Sequence, residues 1–452
     1  MAFFERLDVR LTIFGSFFVI FVPLVSLMLW PNFVAAVPYL VLAELVGLGV
    51  THFFITLALY FQRDNLRYFG SSRRRTLLYF VAPAAVLLFF ALSAAAGLRE
   101  NHPVFALYFF GAIRFFDFFH VGRQSFGILQ IFKRPVASQL PPWSRRAENA
   151  FFVGMAALQW ETFVLGGRFA SDALYARLPA IALGALFVMI AGSYLGLPAH
   201  DGEDSKRQAG RRRGLLPVGY FAMQACCAAA AVYDTRLYGV GLTLHYVEYH
   251  AIMAPRCLQA PLDTERSRLD RGYAAVSRRP LLFYALLLAV VMLFELRNHV
   301  GLNAGPSTTF FIHLFDGIFF VHYLIEAFLW KFGEPHFRDT LLPLYASPRP
   351  DAPPLRSAHL LTPPALALIT VAALALALPA GARDAFERRV IHRMDADNHL
   401  RWGIELLERD ALERAEPHLQ RAMERNPGSE AARSALAQLH QRKARAMGEG
   451  RP

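Results

Sequence analysis

Ionisable side chains inside long apolar runs are the residues best placed to do chemistry, because leaving them unpaired in hydrocarbon is costly. In this chain such groups, with polar neighbours, concentrate on four runs. They hold Glu44, Thr51 and His52; Arg114, Asp117, His120 and Gln124; His245, Glu248 and His250; and His313, Asp316, His322 and Glu326. At about 100° per residue on a helix, Asp117, His120 and Gln124 fall within roughly 60°, and His245 and Glu248 lie about 60° apart. His322 and Glu326 are about 40° apart, with Asp316 about 80° beyond Glu326. Each run therefore presents one polar stripe on an apolar helix. His250 lies about 140° from His245, so the two face one point only if the helix is distorted.

Depth is a second test. His52 precedes Gln62 by 10 residues, His120 precedes Lys133 by 13, His245 precedes Arg256 by 11, and His322 precedes Lys331 by 9. At 1.5 Å rise per residue the four imidazoles share one layer about 15 Å from these helix ends. Hydropathy alone does not require that agreement.

Imidazoles at one depth with carboxylates a turn away suit a metal site. The expected ligands are His52, His120, His245 and His322, with Asp117, Asp316, Glu248 and Glu326 supplying carboxylates. Gln124, His250 and His313 are expected to support them from behind. Non-haem iron is the first expectation, because a mixed histidine and carboxylate set suits it, with copper or haem as alternatives. The competing reading is that each histidine bonds a neighbouring helix and serves packing. His102, His299 and His313 fall near the outer surface, where interfacial roles are commoner. Arg114 is placed to pair with Asp117 one turn on, while Arg123 faces elsewhere and needs an acidic partner or a path to the surface.

The elements that must position these residues are membrane-spanning helices. Of 452 residues, 55% are hydrophobic, 18% are charged and 40 are phenylalanine, a balance unlike that of a soluble domain. Apolar runs long enough to cross a roughly 30 Å hydrocarbon core are placed near 11–30, 33–61, 76–97, 104–132, 147–166, 178–197, 215–233, 236–256, 280–296, 306–331 and 361–381. The first is too long for the core of a cleaved signal peptide. With a cytoplasmic N-terminus, the segments 1–10, 61–75, 133–146, 198–214, 255–279 and 331–358 face inside and hold 26 lysines and arginines. The outside loops hold five, which sets the orientation by the positive-inside rule in a cytoplasmic (inner) membrane. The net charge of +12 follows this alternation and gives no reason to expect nucleic acid. Cys226, Cys227 and Cys257 have neither zinc-type spacing nor a disulfide framework.

The expected fold is thus an all-α polytopic bundle of about eleven spans over residues 1–382, a linker over 383–395, a small helical tail over 396–446 and a disordered end over 447–452. An odd number of spans places the tail outside, in the periplasm. Gly403, Leu406, Ala415, Leu419, Ala422 and Pro427 lie at the spacing of two short close-packed helices, and this segment resembles a single tetratricopeptide (TPR) repeat. One repeat is too short for a full peptide groove, so the resemblance implies a docking or self-association contact.

In kind, the membrane part resembles polytopic histidine-rich iron oxygenases, most of all the Brp/Blh-type β-carotene dioxygenases, whose histidines sit on the spans themselves. The spaced histidine boxes of desaturases are absent, and no family motif aligns residue by residue. The resemblance implies a metal-dependent oxidoreductase acting on a lipid-soluble small molecule. Two other readings stay open. One is a haem-binding electron-transfer protein, for which Gly111, Gly122 and Gly127 would make room beside a macrocycle. The other is a transporter or proton channel with a buried histidine and carboxylate relay, although no internal repeat of the transporter kind is evident.

Overall fold

The computed structural model describes residues 7–18, 48–98, 103–165, 174–196, 204–233, 237–258, 268–299, 306–329, 334–346 and 411–449, with isolated positions between 360 and 410. Among the described residues the chain is helical and has no strand. The expected span at 361–381 and the linker at 383–395 lie almost wholly outside them, as does Glu44.

In chain order the helices are α1 (Leu7–Ser16), α2 (Val50–Leu57), α3 (Arg63–Phe69), α4 (Arg73–Ala95), α5 (Pro103–Phe132), α6 (Ser144–Leu165), α7 (Leu174–Leu195), α8 (Asp204–Tyr233), α9 (Leu237–Leu258), α10 (Arg268–Ser277), α11 (Pro280–His299), α12 (Pro306–Leu329), α13 (Pro335–Ala346), α14 (Leu412–Arg425) and α15 (Glu430–Glu449). Local chemistry sets many of these ends. α5, α11, α12 and α13 each begin on proline, which lacks the N–H that the first turn leaves unpaired. Ser72 caps α4 by accepting from the Arg75 N–H, and Gly97, at φ 57°, takes the left-handed conformation just beyond its other end.

Among the described residues, three helices are long and apolar enough to cross a membrane: Arg73–Ala95, Arg177–Leu195 and Gly214–Val232. Arg271–Ser277 and Pro280–Val290 would make a fourth if counted together, but the chain bends by 102° between them. The helices bearing most of the polar stripes are α5, α9 and α12. α5 carries Arg114, Asp117 and Arg123 along its length, and α9 carries His245, Glu248 and His250.

Several segments expected as loops are partly helical. The arginine-rich stretch before Gly214 belongs to α8, and α3, α10 and α13 occupy parts of three other basic connections. α5 packs along α6, α12 along α4, and α9, α11 and α12 all meet the short α2. At Gly122 a side chain would meet the Phe152 carbonyl at 3.1 Å, so glycine lets α5 and α6 approach closely. It is a packing residue, not a wall for a macrocycle.

Lys133, expected as a loop charge, is buried beside Glu148, which is itself fully buried. Glu148 accepts from Lys133 Nζ at 2.5 Å, Gln130 Nε2 at 2.8 Å and Tyr194 Oη at 2.7 Å. One carboxylate therefore ties the end of α5 to α6 and α7.

In the tail, α14 and α15 form a hairpin whose core is Leu412, Ala415, Leu419, Ala435 and Leu439. α15 runs to Glu449, so 447–449 continue a helix instead of forming a disordered end. A Cβ on Gly403 would lie 2.4 Å from a Leu419 methyl. Gly403→Ala should cost about 1–3 kcal/mol of local stability. Limited proteolysis of the full chain checks this: the variant's tail is expected to be cut faster, and equal rates would show that the contact relaxes freely. The histidines of this region do not stand apart, since His399 Nδ1 meets His418 Nδ1 at 2.9 Å. Lys443 bonds Glu416 at 2.7 Å and holds that partly exposed carboxyl below its usual range. The hairpin should therefore loosen as pH falls through the lowered Glu416 value. Lys443→Met should remove that acid sensitivity.

Candidate metal centre

α2, α5 and α12 bring His52, His120 and His322 together, all buried. Their ring nitrogens form the cluster among the described residues that could hold a metal ion. His322 Nε2 lies 2.8 Å from His52 Nε2 and 3.2 Å from His120 Nε2. Metal–imidazole bonds of about 2.1 Å in a tetrahedral shell place ligand nitrogens about 3.4 Å apart, so the two contacts of His322 sit slightly inside the spacing an ion requires. Glu326, one turn after His322, puts Oε2 3.5 Å from His120 Nε2.

The tautomer of His322 follows from its surroundings. Its Nδ1 lies 2.8 Å from Thr56 Oγ1, and Thr56 Oγ1 lies 2.5 Å from Tyr249 Oη. Tyr249 also bonds Glu326. A carboxylate accepts only, so the chain runs outward: Nδ1–H donates to Thr56, Thr56 donates to Tyr249, and Tyr249 donates to Glu326. His322 Nε2 is then bare and faces the other two imidazoles, as a metal ligand must. Thr56→Val should weaken metal binding about 10–100-fold, with Thr56→Ser close to wild type. Titration with Co(II), followed by its visible spectrum, separates these outcomes, and equal affinity in Thr56→Val would remove the tautomer argument.

The other expected residues are distributed around this trio. The His245 ring is 4.9 Å from that of His52 and 5.2 Å from that of His120, at the edge of the cluster and outside the three converging nitrogens. His52 Nδ1, His245 Nδ1 and Gln124 Oε1 are buried without a hydrogen-bond partner, which marks this layer as polar beyond what the protein itself satisfies. Gln124 Nε2 reaches the His245 carbonyl at 3.5 Å.

Asp117 is engaged elsewhere, by Arg114 at 3.3 Å and by Tyr323 Oη at 2.9 Å, and the Tyr323 ring lies against His120. Glu248 turns to α8, accepting from Tyr220 Oη at 3.0 Å and Gln224 Nε2 at 2.6 Å. His250 is not one of the three converging histidines and bonds Thr51 Oγ1 at 3.1 Å and the Leu48 carbonyl at 3.2 Å. Asp316 is half-buried and outside the trio, while the His313 side chain is outside the described set. Of the two expectations for Arg123, an acidic partner or a path to the surface, the second is met: the side chain is exposed and bonds the amide of Asn149.

Thr56, Tyr249 and Tyr323 were not expected in the site. The signal was present for two of them: Thr56 follows His52, and Tyr249 follows His245, by the four residues that bring side chains onto one face. Aromatic side chains pack around the cluster. Phe53 stacks on Phe319 at 4.0 Å and meets His322 edge-on at 4.9 Å, and the Tyr249 ring lies 4.1 Å from His52.

No protein-family model matches the chain, and no curated protein or solved structure matches it, so this geometry is what bears on function.

Proposed function

We propose that the chain is a membrane-embedded, metal-dependent oxidoreductase of the non-haem iron kind, acting on a lipid-soluble small molecule. The observation that carries this reading is the convergence of three imidazole nitrogens, with the Glu326 carboxylate beside them, in a fully buried and aromatic-walled layer. Nitrogen and carboxylate donors together favour iron over a thiolate-seeking metal. Haem is disfavoured: axial bonds of about 2 Å on each face hold two imidazole nitrogens about 4 Å apart with a ring between them, wider than either close pair here.

Iron, when bound, supplies oxygen activation. The chain's own residues do the rest. His52, His120 and His322 hold the ion, and Thr56, Tyr249 and Glu326 fix the orientation and tautomer of His322. Phe53, Phe319 and the tyrosines exclude water and present an apolar surface to substrate. Within this proposal the eleven-span arrangement stands, with basic connections facing the cytoplasm and a TPR-like tail outside for a protein contact or self-association.

Elemental analysis and an optical spectrum of purified wild-type protein test the reading. About one iron per chain and oxygen uptake dependent on an added lipophilic substrate are expected. Well-folded protein that takes up no transition metal would leave the histidines as packing residues.

A further inference from the structure

Arg256, near the end of α9, is 3% exposed and its Nη1 has no hydrogen-bond partner. Arginine does not shed its proton, so burial does not neutralise it. Its strongest electrostatic neighbours are Tyr345, Cys257, Tyr249 and Tyr79, none of them a carboxylate. The hydroxyl of Tyr345 is committed to the Ile252 carbonyl at 2.8 Å, and the face of Phe337 lies 5.6 Å from the guanidinium.

Among the described residues, the nearby acids are already matched, Asp339 on α13 by Arg338 at 2.8 Å. Glu334 pairs with Arg75 at 3.5 Å and accepts from Tyr68, and Asp64 pairs with Arg67 at 3.9 Å. His336, on the helix packed over this end, is held down to about 4 by burial and then by Arg256, so it is neutral near pH 7. A buried, permanent positive charge thus lacks a counter-ion among the described residues.

The position of Arg256 on its helix adds direction. His245, Tyr249, Ile252 and Arg256 fall within about 40–60° of one another on α9, and Arg256 is about 16 Å along the axis from His245. All four are buried. This stripe leads from the guanidinium to the imidazole layer.

We propose that Arg256 binds the anionic oxygen head of an amphipathic ligand, a carboxylate or phosphate on a long apolar chain, with the chain directed along this stripe. The direction of the apolar chain rests on the metal-centre reading, whereas the anion site itself does not. Carboxylate and phosphate share the bidentate chemistry that a guanidinium recognises.

The test uses the full-length protein in zwitterionic nanodiscs, with dodecanoate, dodecyl phosphate and 1-dodecanol as probes. Binding and thermal shift are measured for wild type, Arg256→Gln and Arg256→Met, with bound metal quantified in each. The expected result is at least tenfold tighter binding of an anion than of the alcohol to wild type, lost in both variants while metal content is unchanged. Preference for dodecanoate assigns a fatty-acid-like substrate, and preference for dodecyl phosphate assigns a phospholipid headgroup. Equal binding of alcohol and anions, or a preference that survives in Arg256→Met, overturns the proposal. If one variant fails to fold, the other decides, and equal binding of alcohol and anions to wild type overturns the proposal without either. Wild type without metal but with the anion preference would remove the metal reading and leave the anion site.

Discussion

His322→Ala is expected to lose its bound metal to background, with His52→Ala and His120→Ala close behind. His322 is central because its Nε2 lies within 3.2 Å of both partner nitrogens. Its removal leaves two imidazoles on α2 and α5 without the ligand that bridges them. The loss should exceed the roughly 10–100-fold that changing a residue behind a ligand produces. His245→Ala should fall between, since its ring borders the trio without joining it. His250→Ala should keep its metal, because His250 bonds Thr51 and the Leu48 carbonyl instead. Metal content by elemental analysis, on variants shown by thermal melting to be folded, checks the order. Full occupancy in His322→Ala would sink the centre as drawn, and so would equal loss in His250→Ala.

Glu148→Leu is expected to destabilise the helical bundle by about 3–5 kcal/mol, the cost of leaving a buried charge unpaired. Lys133, 5% exposed, would then have lost its carboxylate, and Gln130 and Tyr194 would lose their acceptor. Tyr194→Phe removes one neutral donor and should cost no more than about 1.5 kcal/mol. The double change Glu148→Leu with Lys133→Met should recover most of the loss, since apolar packing can replace a buried pair. Denaturant or thermal unfolding of the purified full chain measures all three. A Glu148→Leu protein as stable as wild type would show that Lys133 finds water or another partner.

The same residues show where sequence reasoning reached and where it stopped. Periodicity placed α5 at nearly its observed bounds, because a long apolar run flanked by proline and Lys133 has few other ways to satisfy its backbone. Counting back from helix ends put four histidines at one depth, and two of those ends do meet: Gln62 Nε2 donates to the Arg256 carbonyl at 3.2 Å. The pairing of Arg114 with Asp117 was also legible, being a local contact one turn apart.

Helical character, the polar stripes and their shared level were readable from the chain alone, because each depends on neighbours within a few residues. Which member of each stripe faces which helix is set by rotation and by packing between segments far apart in the chain. Tertiary structure alone decided that Glu248 serves Tyr220 and Gln224, that Asp117 serves Tyr323, and that Glu326 is the carboxylate beside the imidazoles. It also turned Lys133 from a surface charge into half of a buried pair and left Arg256 without one. A helix of known sequence can be turned about its axis at no local cost, so only contacts with other helices choose the angle.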